Sequence, residues 1–189
     1  MGAFIGFLGA AGVGAGIAVA EALARSYRGT ALTFFGSLGG GAIGSATHLL
    51  AGWVLADLFG HEIATFGGGV DGLVIGAAAG LGYALATPRP HGGGMATPRG
   101  QSRILAALAT GAACALAGVL LTAGGRTLGG GSLDLLARSF HGSHAGLAAV
   151  GALVGEDGLG PASRILLGAY EGFLFGFGLV LGVTRRPRA

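Results

Sequence analysis

Long apolar stretches alternate with short polar connections along the whole chain. Most of these stretches hold about 20 residues, which lets a helix cross roughly 30 Å of hydrocarbon at about 1.5 Å per residue. The pattern therefore predicts an all-α protein, a polytopic membrane helical bundle of five or six spans. The six predicted helices cover about residues 3–24, 31–58, 68–90, 104–123, 133–154 and 165–184.

Small residues recur every four positions on several of these helices. On a helix this spacing places the glycines in one stripe without side chains, so that a second helix can approach backbone to backbone. We therefore predict that these stripes are the helix-packing surfaces. The rows are Gly36, Gly40, Gly44 and Gly52 on helix 2, Ala107, Gly111 and Ala115 on helix 4, Gly68, Gly72 and Gly76 on helix 3, and Gly168, Gly172 and Gly176 on helix 6.

Helices 3 and 6 repeat one another about one hundred residues apart. They share the glycine row, and Asp71 in the first copy becomes Glu171 in the second. The duplication predicts two three-helix repeats, residues 1–90 and 102–189, joined by a linker at 91–101.

The number of crossings depends on whether helix 5 spans the membrane. Three helices per repeat is an odd number, so six crossings would give two halves of opposite orientation, as in inverted-repeat channels and transporters. The arginine distribution instead favours five crossings, with helix 5 at the membrane surface. Both arrangements place the linker at 91–101 in the cytoplasm, and the sequence leaves the crossing of helix 5 open.

The composition supports lipid as the solvent. Of 189 residues, 52% are apolar and only 10% are charged, and the mean hydropathy is +0.73. These values lie outside the range of an ordinary soluble domain. The net charge of +3 comes largely from arginines in the connections and at the C-terminus, without the basic stripe and aromatic partners of a nucleic-acid surface. The expected partners are the lipid bilayer and either further copies of the chain or other membrane subunits, and not nucleic acid.

Two acids inside the duplicated helices are candidates for a pore or polar path. Asp71 and Glu171 occupy equivalent positions, and carboxylates within a membrane often line a route for water or solute. The alternative is that each acid lies near a helix N-terminus, where the helix dipole and the lipid headgroups favour its charge.

His48 and Glu21 complete the predicted polar path. His48 takes the missing place in the glycine row of helix 2 and needs a hydrogen-bond partner, which could be purely structural. Glu21 lies one turn before Arg25, and the two could simply pair at i,i+4 near the interface. Arg25 and Arg28 are both expected in the headgroup layer.

The sequence gives no indication of an enzyme or a cofactor. It has no G-x-S-x-G elbow, no H-E-x-x-H motif and no Walker loop. His141 and His144 have a spacing that could hold a metal, but a third ligand at a matching helical offset is missing. The lone Cys114 lies among apolar residues and is expected to pack as one of them.

Three segments resemble the glycine-zipper membrane modules of bacteria, some of which are fused to forkhead-associated signalling domains. Residues 20–26 match their AEALxRS segment, residues 36–44 their GxLGGxxG run, and residues 162–178 their ARxxxGxxEGxxxGxG element. The chain is also similar, in its GxxxG rows, to the preprotein and amino-acid transporter family of organelle membranes. The first resemblance implies a multi-pass domain of the bacterial inner membrane.

Two functions fit this sequence. The first is a channel or small transporter subunit built from a tandem, possibly inverted, glycine-zipper repeat. The alternative is a membrane anchor or oligomerisation module that has no transport activity and assembles through its glycine stripes.

Overall fold

Within the part of the chain that the structure describes, six helices follow the apolar stretches of the sequence. In a computed structural model they are α1 Gly2–Leu23, α2 Arg28–Phe59, α3 Gly69–Ala86, α4 Gln101–Ala123, α5 Ala148–Leu153 and α6 Pro161–Val183. The residues that the structure describes contain no strand. The prediction of an all-α protein is therefore confirmed.

The structure describes residues 2–23, 26–59, 68–88, 96, 98–128 and 148–185. The predicted first half of helix 5, with His141 and His144, lies outside these residues, as do Arg25 and most of the linker at 91–101. Only the last part of helix 5 is described, as the six-residue α5.

Four helices are long and apolar enough to cross a membrane: residues 6–23 of α1, and the whole of α3, α4 and α6. They support the prediction of a membrane protein. Helix α2 is not among these four. However, residues 32–48 of α2 run beside nearly the whole of α3, from Gly80 to Gly68. If α3 crosses the bilayer, α2 must cross the same thickness.

Helices α2 and α3 pack antiparallel through their glycine rows. A Cβ atom added at Gly40 or Gly72 would meet the carbonyl oxygen of the facing glycine at less than 3.0 Å, a distance that real Cβ atoms essentially never show. The two backbones are therefore in direct contact. The facing pairs are Gly36 with Gly76, Gly40 with Gly72, and Gly44 with Gly68.

Gly52 departs from the predicted row. It is exposed, and a Cβ atom there would meet nothing within 4 Å. The reason is geometric: α3 begins at Gly69, level with Gly44, so α2 extends beyond its partner before Gly52 is reached.

Helices α4 and α6 form a second antiparallel pair with the same geometry. Gly168 faces Gly118, Gly172 faces the carbonyl of Cys114, and Gly176 faces the carbonyl of Thr110. The predicted row of Ala107, Gly111 and Ala115 is not the stripe that faces these three glycines. Gly111 instead meets the ring of Phe173, since the contact stripe lies one residue earlier on the helix.

In the two helix pairs, α4 occupies the position of α2, and α6 occupies the position of α3. Cys114 takes the place that Gly40 has in the first pair, and Gly172 takes the place of Gly72. The sequence repeat instead makes helix 4 the counterpart of helix 1, which differs from the correspondence that these contacts show. The predicted equivalence of helices 2 and 5 rests on residues outside the described ranges and stays a prediction.

Helix α3 also packs antiparallel to α4. Gly82, near the end of α3, lies against Thr110 in the first half of α4, whereas Asp71, at the start of α3, contacts Arg126 just beyond the end of α4. Helices α3 and α6 therefore run in the same direction. An inverted repeat would make them run in opposite directions, so these two helices are not related by inversion. Most of helix 5 lies outside the described residues, and its crossing stays open.

We call the two ends of the bundle end A and end B. End A holds the starts of α3 and α6 and the ends of α2 and α4. End B holds the ends of α1, α3 and α6 and the starts of α2 and α4. Helix α1 packs on α2, with Gly12 against Gly39 and Gly16 against the carbonyl of Phe35.

The bundle consists of two units, which we name by their helices. Unit 1 contains α1, α2 and α3, and unit 2 contains α4 and α6. The units meet mainly through α3 and α4, with smaller contacts of α1 and α3 with α6, and the α3–α4 interface is smaller than the glycine-lined interface inside either unit. Its centre includes Gly82 against Thr110 and the Cys114 thiol, which lies 3.8 Å from the carbonyl oxygen of Ile75.

We expect Gly40→Ala to destabilise unit 1 by about 1–3 kcal/mol, because the new methyl group would push the backbone of α3 away. The matched control is Gly178→Ala, where a Cβ atom would meet nothing within 4 Å. That change should be neutral or stabilise the helix by up to about 1 kcal/mol. Unfolding by SDS in mixed micelles, followed by circular dichroism, measures both variants. Equal midpoints would contradict the close contact of α2 and α3.

Candidate functional site

A buried ion pair joins α1 and α2 at end B. Nη2 of Arg28 lies 2.6 Å from Oε1 of Glu21, and Nε donates to the same carboxylate at 3.0 and 3.1 Å. The side chains of Arg28 and Glu21 are only 7% and 3% exposed. The prediction that Arg28 lies among the headgroups is therefore corrected, since its charge is held inside the protein.

The rest of the Arg28 guanidinium group caps the end of α3. Nη1 donates to the carbonyl oxygens of Ala84 at 3.3 Å and of Thr87 at 3.0 Å, while Nη2 also donates to the Thr87 hydroxyl at 2.7 Å. All three nitrogens of the group therefore have acceptors. The last carbonyls of a helix lack partners within that helix, and Arg28 supplies them. Its Cζ atom also lies 5.6 Å from the centre of the Tyr83 ring.

Unit 2 has a similar arginine cap at end B. Nε of Arg103 donates to the Thr184 hydroxyl at 2.9 Å, and Nη2 donates to the carbonyl oxygen of Leu181 at 2.5 Å. In both units an arginine at the start of one helix caps the C-terminal end of its antiparallel partner. These hydrogen bonds hold the two helices of each unit together at end B.

Glu21 is accordingly placed in a structural cluster. Its carboxylate pairs with Arg28, seven residues ahead and across the break between α1 and α2. Arg25, the partner that sequence spacing suggested, lies outside the described residues. A role for Glu21 in a polar path stays a prediction.

At end A, Asp71 joins the two units. Its Oδ1 accepts a hydrogen bond from Nε of Arg126, and its Oδ2 accepts one from the Gly68 N–H at 3.0 Å. Asp71 is therefore in the first turn of α3, the position that the sequence alternative gave it, where the helix dipole favours a negative charge. The Asp71 side chain is 8% exposed and that of Arg126 is 42% exposed.

Arg126 also lines a small cleft between the end of α4 and the first half of α6. Glu171 is the eleventh of the 23 residues of α6, so it does not lie near a helix N-terminus, as one prediction for it had it. The cleft has room for about one water molecule. It brings together Glu171 with two arginines, two threonines and two leucines. The lining residues are Thr122, Arg126, Thr127, Leu128, Arg164, Leu167, Gly168 and Glu171.

Arg126 lies near both duplicated acids. Asp71 pairs with Arg126, and Glu171 lines the same cleft as Arg126. Arg126 is not among the site residues predicted from the sequence. The sequence feature that could have identified it is that Arg126 is the only charged residue between positions 104 and 133.

His48 lies where α2 meets the start of α3. Its ring is the nearest neighbour of Gly68, and its Nδ1 atom has no hydrogen-bond partner among the described residues. The partner that sequence analysis expects is therefore not identified. In unit 2 the corresponding contact is made by Thr122 against Gly168.

Charge is distributed unevenly between the two ends. Among the described residues, end B carries four arginines and one acid, whereas end A carries two arginines and most of the acids. The end B arginines are Arg28, Arg99, Arg103 and Arg185, and the end A charges include Arg126, Arg164, Asp57, Asp71, Glu156 and Asp157.

Glu156 caps the start of α6. Its carboxylate accepts hydrogen bonds from the N–H groups of Ala162 at 3.0 Å and of Ser163 at 2.9 Å, and from the Ser163 hydroxyl. These bonds, with that from the Ser163 hydroxyl as the largest contribution, hold the pKa of Glu156 below its ordinary value. A negative charge is thereby fixed at the N-terminal end of α6.

Comparison with protein-family models, with curated proteins and with solved structures finds no match. Within the described ranges, no group of three or more histidine, cysteine, aspartate or glutamate residues could hold a metal ion.

Removing one partner of the end B ion pair should be costly. We expect Glu21→Gln to lower the free energy of unfolding by about 3–5 kcal/mol, because the charge of Arg28 would stay buried without its counter-ion. The double variant Glu21→Gln/Arg28→Met should cost less than the sum of the two single changes. A double-mutant cycle of SDS unfolding measures this coupling, with the exposed Arg99→Gln as control. Additive losses would contradict the pairing.

Glu156 makes the start of α6 sensitive to acid. A carboxyl group with a lowered pKa stabilises the fold above the ordinary glutamate value, and this stability is lost as the pH falls through the lowered value. We therefore expect the cap to open only below the ordinary glutamate pKa. Backbone amide NMR shifts of Ala162 and Ser163 should follow this change in the wild type but not in Glu156→Gln. A transition at the ordinary value, or one that persists in Glu156→Gln, would rule out the cap.

Proposed function

We propose that the chain is a small transporter or channel subunit of the bacterial inner membrane, in which units 1 and 2 move against each other. The Asp71–Arg126 ion pair carries this proposal. It joins the two units at end A, beside the cleft that contains Glu171. In this function the pair is the gate that holds end A closed.

The rigidity of each unit supports such a movement. Backbone contact through glycine allows little sliding within α2–α3 or α4–α6, and the caps of Arg28 and Arg103 close each pair at end B. The smaller interface of α3 with α4 is then the surface at which the units move. Transporters commonly use such rigid-body motion of one helical unit against another.

Glu171 places a second carboxylate in the cleft that Arg126 lines. A guanidinium group that leaves Asp71 therefore stays close to negative charge, which costs less than exposing it near lipid.

The charge distribution supports an orientation for this movement. Arginine accumulates on the cytoplasmic side of membrane proteins. End B, with its four described arginines, is then cytoplasmic, and the gate at end A faces the other side of the membrane. This orientation agrees with the expectation of a cytoplasmic linker at 91–101.

An anchor or oligomerisation module, as the resemblance to glycine-zipper modules allows, is the second candidate. The glycine rows of α2, α3 and α6 are occupied within one chain, so the same rows cannot also serve as the assembly surface. Native mass in mild detergent tests this candidate directly. A stable oligomer together with no solute flux would favour the anchor over the transporter.

Neutralising the gate should increase solute entry. In osmotic swelling of proteoliposomes with potassium chloride, glycine or glycerol, we expect the wild type to admit at least one solute faster than empty liposomes. Asp71→Asn removes the charge and keeps an acceptor for the Gly68 N–H, and it should raise that rate about tenfold, as expected if one charge-assisted hydrogen bond is lost. Arg99→Gln, exposed at end B, is the matched control.

The outcomes of this assay separate the two parts of the proposal. Wild-type liposomes that swell no faster than empty ones for all three solutes would rule against transport. Flux that Asp71→Asn leaves unchanged would rule against the gate. An equal increase in Arg99→Gln would mean that the effect is not specific to end A.

A further inference from the structure

The end B surface of unit 2 carries positive charge that no carboxylate among the described residues neutralises. Arg103, in the first turn of α4, donates to the Thr184 hydroxyl and to the carbonyl oxygen of Leu181, and both of these acceptors are neutral. Arg185 follows Thr184 directly and is exposed, with its backbone N–H bonded to the carbonyl oxygen of Gly182 at 3.1 Å. The two arginines therefore belong to one surface, where α4 begins and α6 ends.

Unit 1 differs at the same end of the bundle. The charge of its buried Arg28 is neutralised by Glu21, the one acid at end B in the described part of the chain. The other described acids lie toward end A or, like Glu171, in the middle of α6. None of them is placed to pair with Arg103 or Arg185, so this surface of unit 2 attracts anions.

The exposed side of α6 becomes narrower just before Arg185. Residues 170, 174, 178 and 182 recur every four positions and form one exposed stripe along the helix. Tyr170 and Leu174 give the first half of this stripe its bulk, since they are 60% and 48% exposed. At Gly178 and Gly182 an added Cβ atom would meet nothing within 4 Å. The two glycines therefore leave a notch of two helical turns, roughly 11 Å long, which opens toward Arg185.

The depth of this surface in a bilayer follows from the helices that form it. Both α4 and α6 are long and apolar enough to cross a membrane. Arg103 is the third residue of α4, and Arg185 lies two residues beyond the end of α6. Residues at the ends of membrane spans lie among the lipid headgroups, and the notch lies deeper, beside the acyl chains.

We infer that this surface binds an anionic phospholipid, with its phosphate between Arg103 and Arg185 and one acyl chain in the notch over Gly178 and Gly182. Guanidinium groups present N–H donors that match the oxygens of a phosphate. A zwitterionic lipid offers the same phosphate, but its ammonium group meets two arginines without a carboxylate beside them. Phosphatidylglycerol is therefore favoured over phosphatidylethanolamine and phosphatidylcholine. This site is compatible with a transporter and with an anchor alike.

Competition between lipids tests this inference without measuring flux. The full chain in mild detergent is mixed with equal amounts of phosphatidylglycerol, phosphatidylethanolamine and phosphatidylcholine of matched acyl chains, and retained lipid is counted by native mass spectrometry. We expect phosphatidylglycerol to be preferred over phosphatidylcholine about 25-fold, which is about fivefold for each of the two arginines.

Variants of the headgroup side and of the notch assign the preference to this surface. Arg185→Gln should reduce it about fivefold, whereas Arg185→Lys should retain most of it because the positive charge is kept. Gly178→Leu changes no charge, and its Cβ atom has open space around it, so the variant should fold. It should nevertheless retain less phosphatidylglycerol, because the leucine side chain fills the notch.

Arg99→Gln and Arg164→Gln are the matched controls. Each removes one exposed positive charge, the first at end B and the second at the start of α6. Both should keep the wild-type preference. A general attraction of anionic lipid to a basic end of the bundle would make Arg99→Gln as harmful as Arg185→Gln, and that result would overturn the inference.

Two further results would also contradict the site. Equal retention of the three lipids by the wild type would exclude selection by charge, and unchanged retention by Gly178→Leu would exclude an acyl chain in the notch. Inorganic phosphate at millimolar concentration should leave bound phosphatidylglycerol in place, because it makes no contact with the notch. Displacement by phosphate would identify a site for a free anion and overturn the assignment to a lipid.

Discussion

Direct contact between helix backbones determines most of this structure. Lipid chains are as apolar as leucine, so burial of apolar side chains does not drive helices together within a bilayer, and van der Waals contact between the helices has to do so. In α2–α3 the backbones touch where Gly40 meets Gly72, with no side chain between them. The contact also fixes the register, because a shift of one residue along α3 would bring Leu73 into the stripe and force the helices apart.

The polar residues of the bundle follow from the same environment. Helices that end near lipid must find donors for their last carbonyl groups, since water is scarce and each unmet group is costly. Arg28 and Arg103 supply those donors from the start of the neighbouring helix, and Glu21 neutralises the more deeply buried of the two. The charges at end B are therefore part of the packing, although from sequence alone they read as membrane-surface residues.

The helices and the glycine stripes could be predicted because each depends on spacing within one segment. Which stripe faces which could not be predicted from this spacing. The glycine row of α6 faces Thr110, Cys114 and Gly118, only one of which is glycine. Glycines on α6 alone are enough for close helix packing, because they leave room for a small side chain on α4. The partners of Glu21 and Asp71 were missed for a related reason. Arg28 and Arg126 each lie beyond a helix end, where the chain changes direction and helical spacing no longer places a residue.

The two ends of the bundle differ in how firmly they are held. Arg28 is bonded through all three of its guanidinium nitrogens inside the protein, and breaking a buried pair of this kind costs about 3–5 kcal/mol. The Asp71–Arg126 pair is 42% exposed on the arginine side, so water screens it and it is weaker than the fully buried pair at end B. For the proposed transport function this difference matters, because the weaker pair joins the two units at end A and the stronger Arg28 cluster lies inside unit 1. We therefore propose end A, beside the cleft that contains Glu171, as the end that opens.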